Sequence, residues 1–196
     1  MNFLAHFYLS GEQEGLIAGN FLADYLVNRE VALLPESVQR GVALHRMIDQ
    51  FTDQHECVRR GSRLLLPVHG KYAPVIMDVM MDYLLLKNWG QYSGVPIQEF
   101  TAMIYRALMA HHSIMPEFLR ERLPHMIREN WLIHYGTEEG LEYTFSRMKL
   151  RSSQPWKFDY ALRSLGEHLE DLETAFHSFF PEMSEAATSW IEQEVK

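Results

Sequence analysis

Five aspartates in the first half of the chain carry its strongest chemical signal: Asp24, Asp49, Asp53, Asp78 and Asp82. Side chains four residues apart share one face of a helix. His45, Asp49 and Asp53 therefore form one stripe, and Asp78 with Asp82 forms another. Two such stripes facing each other would build a cage of donors around a cation. Chance accounts poorly for the pattern: seven aspartates placed at random would give roughly 0.2 Asp-x-x-x-Asp pairs, and two occur. The His-x-x-x-acid spacing alone adds little, because ten histidines and twenty-six acids would give about one such match by accident.

Residue choice makes a second argument. Asp is a poorer helix former than Glu, because its short carboxylate competes for backbone amides, so solvated helix faces normally carry Glu. Beyond residue 82 the chain holds fourteen Glu and two Asp, whereas up to that point it holds five of each. The early aspartates also lie within apolar segments, GNFLADYL, HRMIDQFTD and VIMDVMMDYLL. A buried carboxylate left alone is costly, so it must find a cation or a hydrogen-bond donor. The structural alternative to a metal is Arg46, Arg59, Arg60 or a helix N-terminus in that role.

Carboxylates with one or two imidazoles suit Mn²⁺, Mg²⁺ or Fe²⁺ better than a structural zinc. Such a centre acidifies bound water and offsets charge on a phosphoryl oxygen, which makes phosphoester hydrolysis its natural chemistry. The expected set is Asp24, His45, Asp49 and Asp82 or Asp78 on the metal, with an unligated carboxylate as base. Arg46, next to His45, either reaches the phosphate through its two-pronged guanidinium or pairs with a neighbouring Glu. His6, in the apolar run Asn2–His6, reads as a core histidine satisfied by one hydrogen bond or as a further ligand. His111, His112, His125, His134, His168 and His177 lack a comparable carboxylate pattern and read as surface or packing residues. Met77, Met80, Met81 and Tyr83 read most simply as core.

The elements that must position these groups are helical. Pro35 precedes an apolar pattern through Val38, Val42, Leu44, Met47, Ile48 and Phe51, which predicts the helix bearing His45 to Asp53. Gly70 and Pro74 open a second, running to about Trp89 with Asp78 and Asp82 on it, and Gly94-Val95-Pro96 opens a third. PEFLRERLPHMIRENWLIHY, TEEGLEYTFSRMKL and a long run near residues 157–180 repeat the period. Pro181 is expected to stop the last of these, with a short helix after it. Strand signals are scarce, and no repeat or linker parts the chain, so residues 1–196 are expected to form a single all-α domain.

Composition narrows the function. At 47% hydrophobic and 22% charged residues the chain is ordinary for a globular protein. No apolar run reaches the ~18 residues of a membrane span, and the opening MNFLAHFYLS has no basic region of a signal peptide, so a cytoplasmic protein without membrane attachment is expected. Cys57 is the only cysteine, which excludes an internal disulfide or a cysteine-rich metal site. A net charge of −8 argues against general nucleic-acid binding. Dinucleotide, P-loop, His-Glu-x-x-His and nucleophile-elbow motifs are absent, as is the Glu-x-x-His of di-iron bundles.

MNFLAHFYLS, GNFLADYL at 19–26, GVALHRMIDQFTD at 41–53 and MDVMMDYLLLKNW at 77–89 together resemble the bacterial acyl-carrier-protein phosphodiesterases in order and spacing. The resemblance covers about the first ninety residues strongly. It implies a metal-dependent, manganese-favouring hydrolase that removes 4′-phosphopantetheine from the serine of holo acyl carrier protein to leave the apo form. It also implies likeness to the all-helical HD-type metal phosphohydrolases, although no adjacent His-Asp dipeptide occurs here. Under it His6 joins the metal set of Asp24, His45, Asp49, Asp78 and Asp82, with Arg46 beside them in catalysis. The acidic carrier requires a local basic patch, for which Arg59, Arg60 and Arg63 are the first candidates and Arg120, Arg122 and Arg128 the second. A nucleotide or other small-phosphoester hydrolase, and a non-catalytic helical binding protein, are the alternatives.

Overall fold

A computed structural model describes residues 1–193, and no strand occurs among the described residues. The helices are α1 (Phe3–Leu9), α2 (Glu14–Leu22), α3 (Asn28–Val31), α4 (Glu36–Gln54), α5 (Glu56–His69), α6 (Ala73–Lys87) and α7 (Trp89–Tyr92). They continue with α8 (Ile97–Ala110), α9 (Glu117–Arg128), α10 (Trp131–His134), α11 (Glu138–Lys149), α12 (Ala161–Glu167) and α13 (Leu169–Gln193). All but the short α3 contribute to one continuous core, which makes a single all-α domain. No helix among the described residues is long and apolar enough to cross a membrane.

The centre of that core is α6. Ile76, Met77, Val79, Met80, Met81, Leu84 and Leu85 are all fully buried, as a helix apolar on every side must be. It meets α1, α5 and α13. Asp82 is buried with them and has to be satisfied from within the protein. Its carboxylate accepts backbone N–H groups of Asn2, Leu4 and Ala5 at 3.1, 2.8 and 3.3 Å. These are the unpaired amides of the first turn of α1, where negative charge is favoured. Burial still pushes the Asp82 carboxyl up to about 7, against the Met1 ammonium and the three amides. The short α1, and His6 with it, is thereby tied to the central helix.

A second constraint sets α2 against α4. Glycines meet at the crossing: a Cβ on Gly41 would lie 2.5 Å from the Leu16 carbonyl oxygen, and one on Gly19 would overlap the Val38 carbonyl. Backbones can approach this closely only where side chains are missing, and the approach brings Asn20 of α2 beside His45 of α4.

Three expectations about boundaries fail. The run near 157–180 is broken: residues 155–158 form a 3₁₀ turn, α12 ends at Glu167, and the backbone leaves helical values at His168 (φ −118°, ψ 15°). Ser164 of α12 meets the buried His69, 2.8 Å from its Nε2, which fixes the position of α12. Pro181 does not stop α13, which continues to Gln193. Phe179, Phe180, Met183 and Ala187 are buried on either side of the proline, and their packing outweighs the lost hydrogen bond of about 3 kcal/mol. The segment from Pro116 is also two helices, divided where Asn130 takes a left-handed conformation (φ 46°) after α9.

Gly41→Ala should therefore destabilise the protein by about 1–3 kcal/mol, the usual cost of overpacking. Urea unfolding followed by circular dichroism measures it, and an unchanged midpoint would remove the close crossing as a constraint.

Candidate functional site

A cleft of about 220 Å³ opens where α1, α2, α4 and α6 converge, lined among others by His6, Asn20, Asp24, His45, Asp49, Asp53 and Asp78. Its geometry follows from Asn20, which is 1% exposed and must satisfy both ends of its carboxamide. The Nδ2 end donates to the His6 carbonyl at 3.0 Å and to Ser10 Oγ at 2.9 Å. A backbone carbonyl can only accept, so this end is the amide nitrogen and the other is the oxygen. Oδ1 then accepts from Nδ1 of His6 at 2.8 Å and from Nδ1 of His45 at 2.9 Å.

Both Nδ1 atoms thus carry protons, and both Nε2 atoms face Asp49. The distances are 3.3 Å from His6 and 3.0 Å from His45, and Asp24 Oδ1 lies 3.4 Å from His45 Nε2. The two rings stack with centroids 4.3 Å apart. Two imidazolium rings in that arrangement would repel, and the protein protonates them unequally. Burial drives His6 below its usual value, with the Met1 ammonium and His45 adding to it against the pull of Asp49. Burial opposes protonation of His45 as well, but hydrogen bonds to Asp24 and Asp49 and their charges prevail and raise it to about 9. Burial works against the Asp49 carboxylate, yet hydrogen bonds from His45 and His6 and their charges hold it well below the ordinary range.

In its neutral form, which burial favours, His6 presents the Nε2 lone pair to a carboxylate oxygen 3.3 Å away. Two acceptors so placed repel unless a cation lies between them. His6, His45 and Asp49 each offer an atom within 4.8 Å of the others, and the three could hold a metal ion.

The remaining expected site residues are placed differently. Asp24 and Asp49 are about half exposed at the cleft, with side-chain exposures of 47% and 48%. Asp53 is exposed and lines the cleft, its carboxyl raised by burial and by the charges of Asp78 and Asp49. Asp78 Oδ1 lies 2.9 Å from the Met1 ammonium. Asp82 does not line the cleft, because both its oxygens serve the amides of α1. The second aspartate stripe thus anchors the start of the chain, and His6 with Asn20 completes the centre in its place. Arg46 also lies outside, on the exposed face of α4, donating to Asn28 Oδ1 at 2.6 Å. Arg59 and Arg63 line a neighbouring groove that shares Asp53 and Asp78 with the cleft. Arg63 pairs with Glu56 at 2.5 Å, and Arg60 is exposed beside that groove's lining. Asn20 escaped sequence reasoning because it neither titrates nor repeats. Its one signal was an amide inside the otherwise apolar stretch GLIAGNFL.

A family profile described as acyl carrier protein phosphodiesterase matches residues 1–183. The chain belongs to this family. An acyl carrier protein phosphodiesterase of Escherichia coli O6:H1 is 31% identical over 189 residues, covering 96% of this chain and 98% of that protein. One from Escherichia coli O139:H28 is 30% identical over the same shares. No solved structure gives a significant match. Membership bears out the resemblance carried by the four N-terminal blocks and extends it well past residue 90.

If Asn20 aims both imidazoles, Asn20→Ala should weaken Mn²⁺ affinity about 10–100-fold, the usual loss when a ligand's supporting partner is removed. Titration calorimetry reads this, and wild-type affinity in the variant would separate Asn20 from the centre. A pH effect follows from His45. Its folded-state value lies above the unfolded one of 6.5, so its stabilising contribution is complete below pH 6.5 and is lost as pH rises through about 9. The melting temperature in EDTA should fall across that window, and less steeply in His45→Gln. Parallel slopes for the two proteins would refute the assignment.

Proposed function

We propose that the chain hydrolyses the phosphodiester joining 4′-phosphopantetheine to the serine of holo acyl carrier protein, at a divalent ion held by His6, His45 and Asp49. Family membership supports the substrate. The observation that carries the metal is the convergence of His6 Nε2, His45 Nε2 and the Asp49 carboxylate, whose donor atoms all lie within 4.8 Å of one another. Imidazole and carboxylate donors fit Mn²⁺ first, with Mg²⁺ or Fe²⁺ as alternatives. Asp24, 3.4 Å from His45 Nε2, is the next protein donor in this reading. Bound there, the ion would acidify a water and offset charge on a phosphoryl oxygen.

The chain's own groups orient and move protons. Asn20 accepts from Nδ1 of each imidazole and so turns each Nε2 toward the cleft, where the His45 Nε2 proton would give way to a bound cation. Asp53 is not tied to either histidine, and its raised carboxyl makes it the better base for the attacking water. Asp82 acts at a distance as a positioning residue, holding α1 so that His6 faces Asp49. Arg59 and Arg60, on exposed turns of α5 next to the cleft, are the contact for an acidic carrier on a protein of net charge −8.

The deciding experiment follows conversion of holo to apo carrier by mass spectrometry with added Mn²⁺. Asp49→Ala should lose more than about a hundredfold in rate, beyond what loss of a supporting partner costs. The double variant Arg59→Glu/Arg60→Glu should instead raise KM for the carrier at low salt. Faster turnover of free nucleotides than of holo carrier would favour a small-phosphoester hydrolase, and activity retained in Asp49→Ala would discard this centre.

A further inference from the structure

Away from the metal cleft, α9, α10 and α11 enclose a second pocket of about 160 Å³ against the start of α1. Its floor is apolar: Met126, Leu132 and Tyr135 are buried at 3%, 0% and 8% exposure. Trp131, Tyr143 and Met148 stand at its more open side. Engineered apolar cavities of about this size take up a benzene molecule, so the space fits a compact organic segment.

Three arginines, Arg122, Arg147 and Arg151, also line it. The Arg122 guanidinium lies over the Trp131 ring, 4.8 Å from its centroid. None of the three takes part in an ion pair among the described residues; they share this with most of the chain's cations, and what sets them apart is that all three line one concave site. In a protein of net charge −8, three cations gathered at a concave apolar site favour a partly apolar chain that carries hydrogen-bond acceptors and has an anion close by.

The position of the pocket identifies the chain. Asn2 and Phe3 line both this pocket and the metal cleft, so the two cavities abut across the first residues of α1. A substituent on a phosphate held in the cleft has only those two residues to pass. Resting on the function proposed above, we propose that this pocket receives the pantetheine arm of the substrate. The gem-dimethyl carbons next to the phosphate suit the apolar floor, the amides suit the tyrosine hydroxyls and arginines, and the arginines compensate the phosphate's negative charge. A folded carrier would instead contact convex or flat surface, and the exposed arginines of α5 offer that.

Free 4′-phosphopantetheine, the expected product, is the probe. Its affinity for the full chain with Mn²⁺, measured by titration calorimetry, should weaken about tenfold in Met148→Trp, which fills the pocket, and in Arg147→Glu/Arg151→Glu at exposed positions. The ratio of kcat/KM for holo carrier to that for bis(4-nitrophenyl) phosphate, an ester without the arm, should drop about tenfold in both. Wild-type affinity for the probe in both variants would overturn the assignment. So would a loss confined to binding of the apo carrier, which would make the arginines a carrier-docking surface. If the wild type converts holo carrier but the variants match it, only the pocket assignment fails; if the wild type does not convert holo carrier at all, the functional reading fails first.

Discussion

The organisation of the site depends on one carboxamide oxygen shared by two imidazoles. Asn20 Oδ1 accepts a hydrogen bond from both His6 and His45, and its amide end donates to the His6 carbonyl and Ser10. That shared acceptor decides which nitrogen of each ring faces the cleft. Three helices must be in place for it to work. The glycine crossing brings α2 onto α4, and the carboxylate of Asp82 brings α1 onto α6.

How far the sequence reveals this depends on the kind of signal. His45 and Asp49 are one helical turn apart, and periodicity alone places them together. Asp24 and His6 stand out as polar groups in apolar surroundings, but their partners lie on other helices, and spacing along the chain cannot name them. Asp78 and Asp82 show the ambiguity of a buried carboxylate: the pattern demands a positive partner and does not say whether it is a metal, an ammonium or the amides of a helix start. For Asp82 it is the amides, and for Asp78 the Met1 ammonium. The all-α fold was legible because helix periods and start signals repeat along the chain. Pro181 was misread because a local penalty is small beside the burial of Phe179, Phe180 and Met183.

The electrostatics of the surface are divided. Asp24, Asp49, Asp53 and Asp78 gather around one cleft and make it attractive to a cation, whereas an anionic substrate would be repelled by the same field. A divalent ion reverses that local sign, and the arginines lie to either side of it, on α5 and around the pocket at α9 to α11. The negative net charge does not exclude an anionic partner, because charge is sorted by region and not averaged over the molecule.

The Asp82 anchor also has a consequence for the order of assembly. Its hydrogen bonds to Asn2, Leu4 and Ala5 join residues 77 to 80 positions apart, whereas Asn20 and His45 are 25 apart. Closing the longer loop costs more chain entropy, and such non-local contacts are made late. The pairing of α2 with α4 can form as a local hairpin, with His45 and Asp49 already on it but His6 still missing. The last donor arrives only when the first helix docks on the central one. An incompletely folded chain thus carries only part of the His/Asp cluster, which is complete only when the topology is.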